Sequence, residues 1–173
     1  MINEINEELN RANMENNNGH QFLTFQVNHN KLAVEIMRIR EIIEFGNLTV
    51  VPMMQQFIRG VINLRGSVVP VVDLSARFGL GETEINHRTC VVILESRMAE
   101  EAQIVGFIVD AVNAVINIDR DVISAPPQFG SAVKADFLQG IGKVDDEFVL
   151  FLNTEQLLNF DISSEIQDTV EIT

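Results

Sequence analysis

An all-β fold, built from two copies of one small unit paired as barrels, is what this sequence predicts, and three observations carry the prediction. Short runs of β-branched and aliphatic residues, separated by Gly, Asn, Asp and Pro, recur along most of the chain, the pattern of many short strands joined by turns. Residues 60–73 (GVINLRGSVVPVVD) align without a gap on residues 140–153 (GIGKVDDEFVLFLN) at an offset of eighty. Residues 33–43 (AVEIMRIREII) align on residues 106–116 (GFIVDAVNAVI) at an offset of seventy-three, in the same order along the chain. Apolar strands can resemble one another by chance, but two ordered matches argue for an internal duplication.

The elements follow in order. Residues 1–19 are polar and rich in Asn and Glu, with helical character near 4–12, and are expected to form a mobile leader. Residues 22–27 and 31–36 predict a hairpin around Asn28-His29-Asn30, residue types that tolerate turn conformations. Residues 38–44 predict a continuing strand, although Ile39, Ile42 and Ile43 break strict alternation. Residues 53–58 read as a short helical turn after Pro52. The main hairpin lies within residues 57–80, FIRGVINLRGSVVPVVDLSARFGL. Val61, Ile62 and Leu64 lead into an Arg65-Gly66 corner, Val68, Val69, Val71 and Val72 lead out, and a helix-like segment follows at 74–78. Beyond a loop through Gly79, Gly81 and His87, residues 89–94 and 104–109 predict a hairpin that 111–118 extends. Pro126-Pro127 marks an irregular crossover. Residues 135–138, 140–144 and 148–152 complete the second unit, with 154–158 as the counterpart of 74–78. Residues 161–173 lack an apolar run and are expected to be a mobile tail.

Composition narrows the functional classes. A chain of 173 residues, 46% hydrophobic, with eleven Phe and neither Trp nor Tyr, can bury an aliphatic, Phe-rich core. Its apolar runs fall far short of the roughly 20 residues that cross a bilayer, and the acidic opening MINEINEELN is unlike an export signal. Cys90 is the only cysteine and sits in the apolar run TCVVIL, which excludes a disulfide framework and a cysteine metal site. A cytoplasmic protein with Cys90 in its core is expected. The net charge of −13 is uneven. Residues 1–19 hold one base and four acids, 20–88 seven bases and six acids, 89–160 four bases and eleven acids, and 161–173 four acids. No basic stripe is available to neutralise phosphates, which argues against nucleic acid, and an anionic membrane would repel the acidic half. The asymmetry reads either as a solubility device or as unlike faces that associate head to tail.

Catalytic chemistry is hard to assemble. His20, His29 and His87 have no second ligand at metal-binding spacing, so neither a metal nor a cofactor is expected. Asp73 and Asp110 each end an apolar strand. They are open to two readings: a carboxylate pair for acid–base work in a β-barrel enzyme, or caps of the turns that follow. No phosphate-binding glycine loop, nucleophile elbow or zinc helix is present. A binding protein is the expectation.

The residues also carry a resemblance. FIRGVINLRGSVVPVVDLSARFGL resembles the signature of CheW-type chemotaxis coupling proteins. FLTFQVNHNKLAVEIMRIREII resembles that family's first hairpin and following strand, IVGFIVDAVNAVINI the middle of its second half, and DFLQGIGKVDDEFVLFLNTEQLL its closing hairpin and helix. The resemblance spans residues 21–160; Asn153 stands where an aspartate is common, and the leader and tail fall outside it. The same domain occurs within the CheA histidine kinase and in receiver-domain fusions, for which this chain has no room, so a stand-alone coupling protein is implied.

The resemblance implies two SH3-like five-stranded β-barrel subdomains sharing an apolar interface, with short helices, intertwined over residues 20–160. It implies a non-catalytic adaptor without cofactors, cytoplasmic and recruited to membrane-bound receptor arrays. Such an adaptor joins the cytoplasmic tip of methyl-accepting chemoreceptors to the regulatory domain of CheA, which has the same double-barrel fold. Receptor binding is implied near the groove between the barrels, through Ile39, Glu41 and Arg65. An apolar anchor flanked by a carboxylate and a guanidinium suits the seam of a helical receptor tip. An intramolecular Glu41–Arg65 ion pair is the competing structural reading. Kinase contact is implied at the barrel ends, by strand-edge pairing, without assigned residues. An RNA-binding barrel is disfavoured by the acidic second half.

Overall fold

Three two-residue corners, each with both residues at positive φ, set three of the hairpins of this chain: Asn28-His29 (47° and 67°), Arg65-Gly66 (51° and 88°) and Asp145-Asp146 (51° and 66°). That backbone matches the natural twist of the strands it joins. The computed structural model describes residues 2–14, 21–52, 54–96, 103–126 and 133–160. Helix α1 (Ile2–Met14) leads into β1 (Gln21–Val27), β2 (Asn30–Glu35), β3 (Ile39–Glu44), β4 (Ile58–Leu64), β5 (Ser67–Asp73) and α2 (Leu74–Arg77). Then come β6 (Cys90–Glu95), β7 (Ile104–Val109), β8 (Ala111–Asn117), β9 (Leu138–Val144), β10 (Glu147–Leu152) and α3 (Thr154–Leu158). The strands form two five-stranded sheets, in the orders β8-β1-β2-β10-β9 and β3-β6-β7-β5-β4.

The duplication is visible in the register. In the first corner hairpin Ile58 pairs Val72, Gly60 pairs Val71 and Leu64 pairs Ser67, with an irregularity between Ile58 and Gly60. In the second Leu138 pairs Leu152, Gly140 pairs Phe151 and Val144 pairs Glu147, with the irregularity at the equivalent place. Each is eighty residues from its counterpart. The second match holds as well: Val71 lies parallel to Gly106, and Phe151 lies parallel to Ala33. Gly60 and Gly140 mark the same close approach. A Cβ on Gly60 would sit 2.3 Å from the Thr49 carbonyl oxygen, and one on Gly140 would sit 2.4 Å from that of Ser124. Thr49 bridges Val61 and Ser124 bridges Ile141 at these points.

The repeats do not, however, fold as separate sheets. The β1–β2 hairpin joins β8, β9 and β10, while the β6–β7 hairpin joins β3, β4 and β5. Strand β8 therefore does not extend the β6–β7 hairpin, as its sequence position suggested. The Asp110 N–H donates to the Gln26 carbonyl at 2.8 Å, and from Ala111 onward β8 pairs with β1. The near-neutral residues 20–88 and the acidic residues 89–160 are therefore not segregated by sheet, because each sheet mixes strands from both halves.

Each sheet wraps around its own small core. Ile62, Val69, Val71, Val91, Ile93 and Ile108 form one cluster, with Ile43 against it. Phe22, Ala33, Ile118, Val149 and Phe151 form the other, with Phe22 and Phe151 edge to face at 5.1 Å between ring centres. The alternate residues of the same strands point the other way. Leu23, Phe25, Leu32 and Leu150 from one sheet meet Val72, Val92, Leu94 and Phe107 from the other in a larger shared core. This mostly-β, two-sheet architecture with an apolar interface is the expected one, and it is consistent with paired SH3-like barrels.

Two expectations need correction. Over residues 2–14 the leader is a packed helix: Ile5, Leu9 and Ala12 are buried, one apolar stripe at helical spacing. Too few apolar residues surround that stripe for the sequence alone to announce it. The helical turn expected at 53–58 is absent, since Ile58 already belongs to β4 and Gln56-Phe57 form a turn; Met53 lies outside the described residues. So do residues 15–19, His20, Pro127 and the tail at 161–173.

Candidate partner-binding site

Strand β3 and strand β4 are the two edges of one sheet, and the polar residues at their margins define the candidate site. The β3–β6 register shifts between Ile39 and Glu41. This bulge displaces Arg40 and turns both Ile39 and Ile42 into the shared core, which is why the apolar residues of β3 fail to alternate. Glu41 is left half-buried at the seam. Arg65 stands at the β4–β5 corner, where the Asn63 side-chain oxygen accepts from the Gly66 N–H at 2.9 Å.

Arg65 and Glu41 meet across the seam. Nη1 donates to Oε1 at 2.8 Å and Nη2 donates to Oε2 at 3.1 Å, the two-pronged geometry that suits guanidinium and carboxylate. The side chain of Arg65 is 75% exposed and that of Glu41 17%. Exposed ion pairs contribute about 0.2–1 kcal/mol, so the pair orients both groups without committing either to the fold. The intramolecular reading and the contact reading are thus compatible. Ile39 differs: at 6% exposure it is a core residue rather than a displayed anchor.

The aspartates raised as a catalytic pair have structural work. Asp73, fully buried, accepts from the Thr83 hydroxyl at 2.7 Å, the Thr83 N–H at 2.8 Å and the Ala76 N–H at 3.3 Å. Arg59 faces it at 3.4 Å. Its counterpart Asn153 caps α3 in the same way, accepting from the Gln156 N–H. Asp110 accepts from the Asn28 N–H at 2.8 Å and holds the β1–β2 corner. Among the described residues no group of His, Cys, Asp and Glu is arranged to hold a metal.

Arg77, which reads from the sequence as an exposed base, is instead half-buried among aromatic rings. Its guanidinium lies 4.8 Å from the Phe57 ring centre, 4.9 Å from that of Phe137 and 5.4 Å from that of Phe160, stabilised by the ring faces. Its Nη2 donates to the Asn159 carbonyl at 3.1 Å. Burial lowers its pKa. Phe57 and Phe137 are repeat equivalents, so Arg77 joins the two copies; position 157, its own equivalent, is a buried leucine. The eighty-residue alignment of Phe57 with Phe137 was the signal that could have found it.

A mixed two-sheet scaffold with an oriented charge pair at an edge, and with Asp73 and Asp110 tied into a cap and a corner, has the make-up of a binding scaffold rather than of an acid–base site. Residues 21–161 match the model of the CheW-like domain, and the chain belongs to that family, as a chemotaxis scaffold protein. It is 32% identical to the chemotaxis protein CheW of Helicobacter pylori over 141 residues, covering 82% of each chain. It is 30% identical to that of Rhizobium meliloti over 142 residues, covering 82% of this chain and 88% of the relative. The crystal structure of scaffolding protein TtCheW from Thermoanaerobacter tengcongensis superimposes with a TM-score of 0.71 at 32% identity, covering 78% of this chain and 84% of that one. Among the described residues no helix is long and apolar enough to cross a membrane.

Proposed function

We propose that this scaffold joins the cytoplasmic tip of chemoreceptors to the CheA histidine kinase, working in the cytoplasm at membrane-bound receptor arrays. The observation that carries the reading is the Glu41–Arg65 pair: a two-pronged contact that is oriented, three-quarters exposed on its cationic side, and set on a sheet edge. A receptor helix that presents a carboxylate can share Arg65, and one that presents a cation can share Glu41. Ile39 supports the site from beneath, by fixing the bulge that aims Glu41. The kinase regulatory domain is the second partner, reached through sheet margins elsewhere on the molecule.

Titration of a receptor cytoplasmic fragment and of CheA against the full chain tests this. Binding of both partners, with Arg65→Ala losing about ten- to hundredfold in receptor affinity while the kinase affinity holds, is expected. Wild-type receptor affinity in that variant would remove Arg65 from the site, and failure of the unaltered chain to bind either partner would end the adaptor reading.

A further inference from the structure

Helix α1 rests on β3 of one sheet and β8 of the other. Two features of that contact set it apart from ordinary core packing. The first is polar. The Asn6 carboxamide donates to the Ile42 carbonyl and accepts from the Ile42 N–H, both at 2.9 Å. Strand β3 is a sheet edge, so this side chain does what a neighbouring strand would do for one residue. The second is a loose fit. A pocket of about 330 Å³ lies against the first turn of the helix, walled by Ile2, Ile5, Ile42, Cys90, Ala111 and Val112, with Glu44, His87 and Arg88 also lining it.

Those features bear on stability. A helix of 13 residues is marginal in water by itself, so α1 depends on its docking. That docking rests on a short stripe, Ile5, Leu9 and Ala12, and the space beside Ile5 is not filled. Elements with few buried contacts open at a small fraction of the global unfolding cost. Once α1 lifts, it leaves an apolar trough between the sheets and one unpaired main-chain donor and acceptor on β3, next to Glu41.

We infer that α1 is a detachable occupant of the groove between the two sheets, and that a partner's amphipathic helix binds by displacing it. The groove itself specifies the replacement. Its apolar residues must recur at the spacing of positions 5, 9 and 12, and a carboxamide must follow the first of them to engage Ile42. The identity of that partner as the receptor tip rests on the function proposed above; the detachment of α1 does not.

Cys90 gives an independent readout, because it is the only thiol of the chain, is buried, and lines the cavity that α1 covers. N-Ethylmaleimide modification of Cys90 is followed in the full chain and in its Asn6→Ala and Leu9→Asp variants, beside titration of each with a receptor cytoplasmic fragment. Cooperative melting is checked in parallel, so that global unfolding is not read as helix release. Modification is expected to accelerate severalfold in Asn6→Ala and more than about tenfold in Leu9→Asp, with receptor affinity rising in the same order. Unchanged modification in both variants overturns the inference, and so does faster modification when the receptor fragment binds the unaltered chain and both variants with equal affinity. Faster modification in variants that, like the unaltered chain, bind no receptor fragment supports the detachment of α1 and overturns the receptor as its competitor.

Discussion

The Arg65-Gly66 and Asp145-Asp146 corners have almost the same backbone and opposite chemistry. Their first residues share a φ of 51°, their strands share a register, and a glycine five residues before each accepts the close approach of a carbonyl. Yet Arg65 reaches Glu41, whereas the position equivalent to Glu41 is Ala114 and the second corner carries two acids. Nearby, Glu147 pairs instead with Lys31 at 3.1 Å. The duplicated backbone is held by requirements that act on every copy: positive φ at the corner, apolar residues facing in, and space at the glycine. Surface charge meets no such requirement, so it is free to diverge, and divergence at one corner creates an ion pair that the other lacks.

The strongest way to break the comparison is to attack the shared part. Val71 and Phe151 are repeat equivalents, each fully buried in its own sheet's core. Val71→Asp and Phe151→Asp should each remove several kcal/mol of stability, since a buried unpaired carboxylate has no compensating partner. Chemical denaturation reads this; a soluble, cooperatively melting variant would show that the repeat equivalence fails there.

A smaller effect is expected at the close approaches. Gly60→Ala and Gly140→Ala both push a Cβ against a carbonyl oxygen, so both should lower stability by about 1–3 kcal/mol. Gly60 carries an additional backbone cost at its φ of 156°. Thermal melts of the two variants side by side would sharpen the comparison, and tolerance at only one position would mean that the two connections differ in give.

Next comes the divergent part. Arg65→Ala should change stability by less than about 1 kcal/mol, with circular dichroism unchanged, while receptor affinity falls. Loss of the fold would make the guanidinium a structural clamp. The smallest expected effect is at the acidic corner. Asp145→Asn with Asp146→Asn should leave stability within about 0.5 kcal/mol and flatten the salt dependence of kinase association, because screening acts on exposed charge. An unaltered salt dependence would mean that this corner is merely solvated.

Much of the fold is legible in the order of the residues. The corners declare themselves by residue type, the strands by β-branched runs, and the repeat by two ordered alignments, while Asp73 is legible only as either a cap or a catalytic carboxylate. These are properties of single segments, since periodicity, turn chemistry and propensity act over a few residues. What stays hidden depends on which segment meets which. The exchange of the β1–β2 and β6–β7 hairpins between repeats leaves no mark on either hairpin, because each buries both faces wherever it lies. The burial of Ile39 follows from a bulge against β6, and the Glu41–Arg65 ion pair, one of two readings the sequence left open, is decided only by β3 and the β4–β5 corner coming within reach. The docking of α1 follows from an open strand edge that Asn6 happens to satisfy, and the Arg77 cluster from Phe57 and Phe137 converging between the copies. Local physics wrote the strands and corners into the sequence; the pairing of distant edges, the filling of the space between the sheets and the final setting of each charge were decided only when the whole chain closed upon itself.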